Sequence, residues 1–224
     1  MRDHATAEVS FLYGQLFSLR AGFFFAQALP PPFRCQQEER MYMNFVEPIR
    51  DPETVRDIAD YLGDIDEKYR VMFYVGVYSG LRISDILELR IRDVKDKTSV
   101  TIREQKTGKE KIFPINPALA KILKPYCEGK GPWDFLVPSE NSRGSGHIER
   151  RWAWKVMHEA GKKFGMDHLG THTLRKTFGY HFYMQTKDVV LLQKILNHNH
   201  PSETLRYIGI ERDTMIKAMS KFRI

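Results

Sequence analysis

Residues 171–207 contain the runs T-H-T-L-R-K-T-F-G-Y-H-F-Y and L-L-Q-K-I-L-N-H-N-H-P-S-E-T-L-R-Y. His172 and Arg175 are one helical turn apart, so on a helix both side chains leave the same face. His198 follows, and Tyr207 comes nine residues after it. Cationic donors with a late tyrosine suit chemistry on a phosphodiester, with the phenol as nucleophile. Such an ester is already anionic, and attack builds further charge on its nonbridging oxygens. Guanidinium groups present paired donors that match those oxygens. A phenol ionises near pH 10, so it needs a proton acceptor or a cationic field to attack near neutrality.

The elements that must position these residues are legible upstream. Asp51-Pro52-Glu53 predicts a helix start, with Asp51 as N-cap and Pro52 in the first turn. That helix runs to about Leu62, with Val55, Ile58, Ala59 and Leu62 on its buried face. A second spans about Asp66 to Tyr78, burying Val71, Met72, Val75 and Tyr78, and ends at Gly80, which suits a left-handed cap. A short helix from Leu81 to Leu89 follows, placing Arg82 at a helix junction; by itself Arg82 fits equally a structural partner of Asp85 or Glu88. From Thr98 the period changes to two, and Val100 and Ile102 lead into a hairpin turned by Lys106-Thr107-Gly108-Lys109. Further helices are expected over 117–126 and 148–164, separated by a Ser139–Gly146 loop carrying Arg143. Trp152 and Trp154 read as core residues of the second of these. The fold class is therefore α+β, mainly helical with a small antiparallel sheet.

The chain has 224 residues and a formal net charge of +7. Four Lys/Arg and four Asp/Glu fall in residues 1–46, so the whole positive excess belongs to 47–224. A basic domain favours polyanions. Cys35 and Cys127 form no disulfide framework or metal cluster, and a reducing, cytoplasmic setting is expected. Residues 1–46 do not match the rest: the apolar run Ala21–Leu29 is too short to span a membrane and ends at Pro30-Pro31-Pro32. They are expected to be an appendage, or sequence upstream of a start at Met41 or Met43. No Walker-type loop or dinucleotide fingerprint appears, so no nucleotide cofactor is expected.

The run F-Y-V-G-V-Y-S-G-L-R-I-S-D-I-L-E-L-R-I-R-D-V, the K-T-G hairpin, H-T-L-R-K-T-F and L-N-H with T-L-R-Y together resemble the tyrosine recombinase, or phage integrase, family. The resemblance covers nearly all of 47–224 in the right order, with spacings of three, twenty-three and nine between His172, Arg175, His198 and Tyr207. It implies a recombinase-type catalytic domain over 47–224, similar to short members without a separate DNA-clamping domain. Arg82 matches the first-box arginine, Lys106 the hairpin lysine, His172 and Arg175 the second-box pair, His198 the third-box position and Tyr207 the nucleophile. Asn197 stands where glycine is usual, Lys176 where histidine is common and Asp85 where glutamate is common. Taken singly, His172 and His198 fit core histidines and Tyr207 a packing residue; it is the joint spacing that points to a site.

The resemblance implies site-specific cleavage and rejoining of double-stranded DNA through a 3′-phosphotyrosine, with no metal, ATP or other cofactor. Lys106 would protonate the departing 5′ oxygen and His172 would assist the phenol proton. The tail over 212–222, with Met215, Ile216, Met219 and Phe222 at helical spacing, would join protomers into a tetramer on two duplexes or pack on its own domain. Accessory DNA-bending proteins are further expected partners, and a nucleoid-associated, cytoplasmic location is expected. The alternatives are a DNA-binding accessory protein of recombinase ancestry and a type IB topoisomerase-like relaxing enzyme.

Overall fold

Two capped helices begin the structure, and the caps explain their limits. The computed structural model describes residues 46–140 and 146–223. These all belong to one compact unit. The expected appendage (but for Val46), Cys35 and Arg143 lie outside the described residues. Helix α1 spans Pro52–Ile65, with Asp51 accepting from the Glu53 and Thr54 N–H groups and Val55, Ile58, Ala59 and Leu62 buried as the spacing predicts. Helix α2 spans Glu67–Ser79, capped at its start by Asp66 and at its end by Gly80 at φ 62°. Its apolar side chains surround it more fully than one stripe: Phe73 is buried with Val71, Met72 and Val75, while Tyr78 is half-buried. That suits a central helix packed on several sides.

The expected helix from Leu81 to Leu89 is shorter and is followed by another: α3 is Ile83–Leu87 and α4 is Ile91–Val94. Strands β1 (Ser99–Arg103) and β2 (Glu110–Pro114) form the antiparallel hairpin, with Val100 opposite Phe113 and Ile102 opposite Lys111. Val100 and Phe113 are buried, whereas Ile112 is 65% exposed because the alternation turns it outward. Helices α5 (Pro117–Cys127), α6 (Arg150–Lys163), α7 (Thr171–Thr186), α8 (Val189–Leu196), α9 (Pro201–Tyr207) and α10 (Ile210–Lys221) complete the unit.

The tryptophans of α6 correct the sequence reading. Ala153, Met157, Ala160 and Gly161 form the buried face, while Trp152 is exposed and donates from Nε1 to the Tyr69 hydroxyl at 2.7 Å. Trp154 is half-buried and stacks on His158. Small side chains allow close approach: a Cβ on Gly161 would lie 2.5 Å from the Leu169 Cβ. The main core joins α1 through α7, and a second cluster of Leu192, Leu196 and Ile208 is packed by Phe178, Tyr180, Phe182, Tyr183 and Tyr207. Helix α7 reaches both, through Leu174 on one side and Phe178 on the other. No helix among the described residues is long and apolar enough to cross a membrane.

Candidate active site

Arg175 lies at the junction of these two clusters. Helix α7 starts at Gly170, whose N–H donates to Thr173 Oγ1 at 3.0 Å. His172 follows, and Arg175 one turn later is 3% exposed. Its Nη2 donates to the Leu196 carbonyl at 2.6 Å and its Nη1 to the Gly80 carbonyl. These carbonyls lie at the C-terminal ends of α8 and α2, where the backbone leaves acceptors unmet and the helix dipole favours a cation. Gly80 has two reasons to be glycine. Its φ is positive, and a Cβ there would meet the Phe178 ring at 2.4 Å.

Arg82 sits in extended backbone as the cap of α3. Its Nη1 lies 2.8 Å from Glu104 Oε2, an ion pair without the alignment of a hydrogen bond. Glu104, fully buried just past β1, also accepts from Thr107 Oγ1 at 2.7 Å and Asn197 Nδ2 at 3.0 Å. Burial pushes its carboxyl up, but the Thr107 bond, Arg82 and Asn197 outweigh it and hold the group below the usual carboxylate range. Glu104 thus ties Arg82, the hairpin turn and the end of α8 together. Asp85 is buried beside it and accepts from the Gln105 N–H at 3.0 Å; burial and Glu104 raise its pKa.

The third group hangs from α8 and α9. Asn197 closes α8 at φ 51°, a conformation that asparagine tolerates better than most residues. This delivers His198, whose Nδ1 lies 3.0 Å from Thr204 Oγ1 and whose ring meets Tyr207 edge to face at 5.0 Å. Tyr207 ends α9, its hydroxyl buried with no hydrogen-bond partner among the described residues. Lys176 Nζ lies 5.1 Å from the Tyr207 ring centre and donates to the Val46 carbonyl at 2.7 Å.

Electrostatics link these groups. Burial raises the Tyr207 pKa, with Arg175 and Arg82 pulling the other way. Burial, then Arg175, Lys176, Arg82 and Lys106, push His172 down to about 4, so its imidazole is neutral near pH 7. Burial foremost also lowers His198, against the pull of Glu203. Of the six sequence candidates, Arg82, His172, Arg175, His198 and Tyr207 converge. Lys106 stays on the exposed hairpin turn, and its charge is felt at His172.

Five buried side-chain polar atoms have no hydrogen-bond partner among the described residues: Arg82 Nη1, Asp85 Oδ2, Glu104 Oε1, Lys111 Nζ and Tyr207 Oη. Buried polar groups are normally paired. All five belong to this cluster, whose guanidiniums and phenol hydroxyl suit an anionic oxygen ligand. Sequence reading missed Glu104 and Lys111. The signal available for Lys111 was the strand period, since it lies two residues before the buried Phe113 and shares its face.

Residues 50–212 match the model of the phage integrase family. The chain is 41% identical over 180 residues to the probable integrase/recombinase YoeC of Bacillus subtilis, covering 80% of this chain and 98% of that protein. It is 24% identical over 176 residues to tyrosine recombinase XerA of Pyrococcus horikoshii, covering 77% of this chain and 60% of XerA. Against several such full-length recombinases, then, it spans less than two thirds of the relative. The crystal structure of the XerH site-specific recombinase bound to difH substrate has a similar fold, with a TM-score of 0.58 at 17% identity, covering 80% of this chain and 55% of XerH.

Proposed function

This chain belongs to the phage integrase family, and on that premise we propose that it is a site-specific DNA recombinase with Tyr207 as nucleophile. The observation that carries the reading is the set of buried atoms without a hydrogen-bond partner among the described residues, which joins the Tyr207 hydroxyl to Arg82 in one cationic pocket. Double-stranded DNA is the substrate, and its scissile phosphate lies against Arg82 and Arg175. The Tyr207 oxygen forms a bond to phosphorus as the bond to the 5′ oxygen breaks, leaving a 3′-phosphotyrosine. The phenol proton passes to His172, which is neutral and able to accept it. An arriving phosphate offsets the surrounding cations and makes this imidazole a stronger base. Lys106, at the exposed turn, supplies a proton to the departing 5′ oxygen.

His198 donates to a nonbridging oxygen from Nε2, the tautomer in which the Thr204 hydroxyl donates to Nδ1. A 5′-hydroxyl from a second strand then attacks the phosphotyrosine and restores Tyr207. Each step exchanges one phosphoester bond for another, so rejoining needs no ATP. Helix α10 buries none of its residues, and Met215, Ile216, Met219 and Phe222 are 59%, 54%, 71% and 69% exposed. Such a face supports docking onto a neighbouring protomer, in a tetramer on two duplexes, over packing on its own domain. Accessory DNA-bending proteins and a nucleoid-associated, cytoplasmic setting belong to the same reading.

Nicked duplexes carrying sequence that flanks the gene test this on a denaturing gel, wild type beside Tyr207→Phe. A covalent adduct that disappears with the substitution is expected. Binding without any adduct would overturn the reading in favour of an accessory DNA-binding protein.

A further inference from the structure

Lys111 lies on β2 opposite Ile102, and the alternation turns it inward with Phe113. Phe113 joins the hydrophobic core, but Lys111 does not end in one. The residue is 8% exposed, and its Nζ is buried without a hydrogen-bond partner among the described residues. The charged groups acting on it are Arg82 and Asp85 around α3, Glu104 beyond β1 and Arg175 from α7. An ammonium held beside two guanidiniums, and bonded to neither nearby carboxylate, is a costly arrangement in the interior. Burial and the two arginines hold its pKa down at about 8.

The balance of charge indicates what would satisfy it. Arg82 and Arg175 offset Asp85 and Glu104, so the cluster is neutral when Lys111 is neutral. A charged Lys111 leaves one positive charge, which one phosphodiester group cancels. We propose that Lys111 is a further phosphate-binding residue of the site, donating from the inner face of the hairpin to the anion that Arg82 and Arg175 hold. This rests on the reading that the pocket accepts a DNA phosphate. It makes anion binding take up a proton, and it divides the hairpin lysines into Lys106 at the rim and Lys111 on the floor.

Sulfate is a suitable probe, because its charge is the same at pH 7 and pH 9. The whole chain is titrated with sulfate at ionic strength fixed by chloride, and unfolding temperature is followed for wild type, Lys111→Met, Lys111→Arg and Lys109→Met. Lys109 is an exposed lysine on the same hairpin and serves as the control. Without sulfate, Lys111→Met is expected to unfold at or above the wild-type temperature, since an apolar chain of similar length replaces an unpaired charge. It should require about ten- to a hundredfold more sulfate for the same upward shift, the range for one hydrogen bond between charged groups. Lys111→Arg and Lys109→Met should stay within about threefold of wild type, and raising the pH from 7 to 9 should weaken sulfate for wild type but not for Lys111→Met.

Equal sulfate requirements for wild type and Lys111→Met would overturn the proposal. So would a wild type that sulfate does not stabilise, or a Lys111→Met protein that unfolds at a lower temperature without sulfate, which would mark a structural counter-ion of Glu104. The covalent-adduct gel fails or succeeds separately. An adduct with Lys111-independent sulfate binding sinks this inference alone, and Lys111-dependent binding without an adduct sinks only the recombinase reading.

Discussion

Replacing Glu104 by Gln removes one negative charge from the point where Arg82, the hairpin and α8 are joined. The glutamine oxygen can still accept from Thr107 Oγ1 and Asn197 Nδ2, which now lie 2.7 and 3.0 Å from Oε2. The interaction lost is the 2.8 Å ion pair with Arg82. Removing one partner of a buried pair costs about 3–5 kcal/mol. The Arg82 side chain keeps 19% exposure and regains some water, so the cost should fall below that range, at about 2–3 kcal/mol. For a chain of this size that lowers the unfolding temperature by roughly 5–10 °C.

The pH dependence carries a definite sign. Glu104 has a folded pKa below its ordinary 4.5. Its stabilisation is therefore fully present above the unfolded pKa and is lost as pH falls through the folded one. Urea unfolding of wild type and Glu104→Gln should differ by the full amount at pH 7 and converge as the pH falls below 4.5 and through the folded value. A difference under about 0.5 kcal/mol at pH 7 would refute the reasoning, being the size of an ordinary surface change. A difference that stayed constant into acid would refute it equally, because the carboxylate would not be its source.

Two further substitutions probe the histidines. Thr204→Val should cut adduct formation about tenfold by freeing the His198 imidazole to turn, with a stability loss of about 1 kcal/mol, and Thr204→Ser should restore the rate; an unchanged rate in the valine protein would show that Thr204 does not orient His198. His172, held at about 4 against an ordinary 6.5, favours the neutral form on folding, so the stability it contributes is complete above pH 6.5 and is lost as pH falls toward 4. Between pH 7 and 5 the wild type should lose stability faster than His172→Gln, by no more than about 1.4 kcal/mol per pH unit, and parallel curves would contradict its burial among Arg175, Lys176, Arg82 and Lys106.

Features set by neighbours along the chain are legible in the amino-acid sequence. Asp51 and Pro52 start α1, Gly80 ends α2, and the three-residue spacing of His172 and Arg175 puts them on one helix face. Glu104 was not readable, because its role comes from Asn197, ninety-three residues away, and from Arg82 across the hairpin. Lys111 required the register of a strand in which Ile112, the more apolar neighbour, faces outward. The α6 tryptophans misled because their place among other apolar residues on the helix suggests a core, whereas the buried face is carried by Ala153, Met157, Ala160 and Gly161. The hydrogen bond from Trp152 to Tyr69 provides a polar perimeter position instead.

The Tyr207 oxygen itself is expected to bond to phosphorus, and mapping that bond is the decisive experiment. Wild-type protein trapped on a nicked flanking duplex is digested with nuclease and protease, and the peptide retaining a nucleotide is sequenced by mass spectrometry. One modified peptide is expected, with the mass addition on Tyr207. A nucleotide on Tyr180, Tyr183 or any residue other than Tyr207 would contradict it.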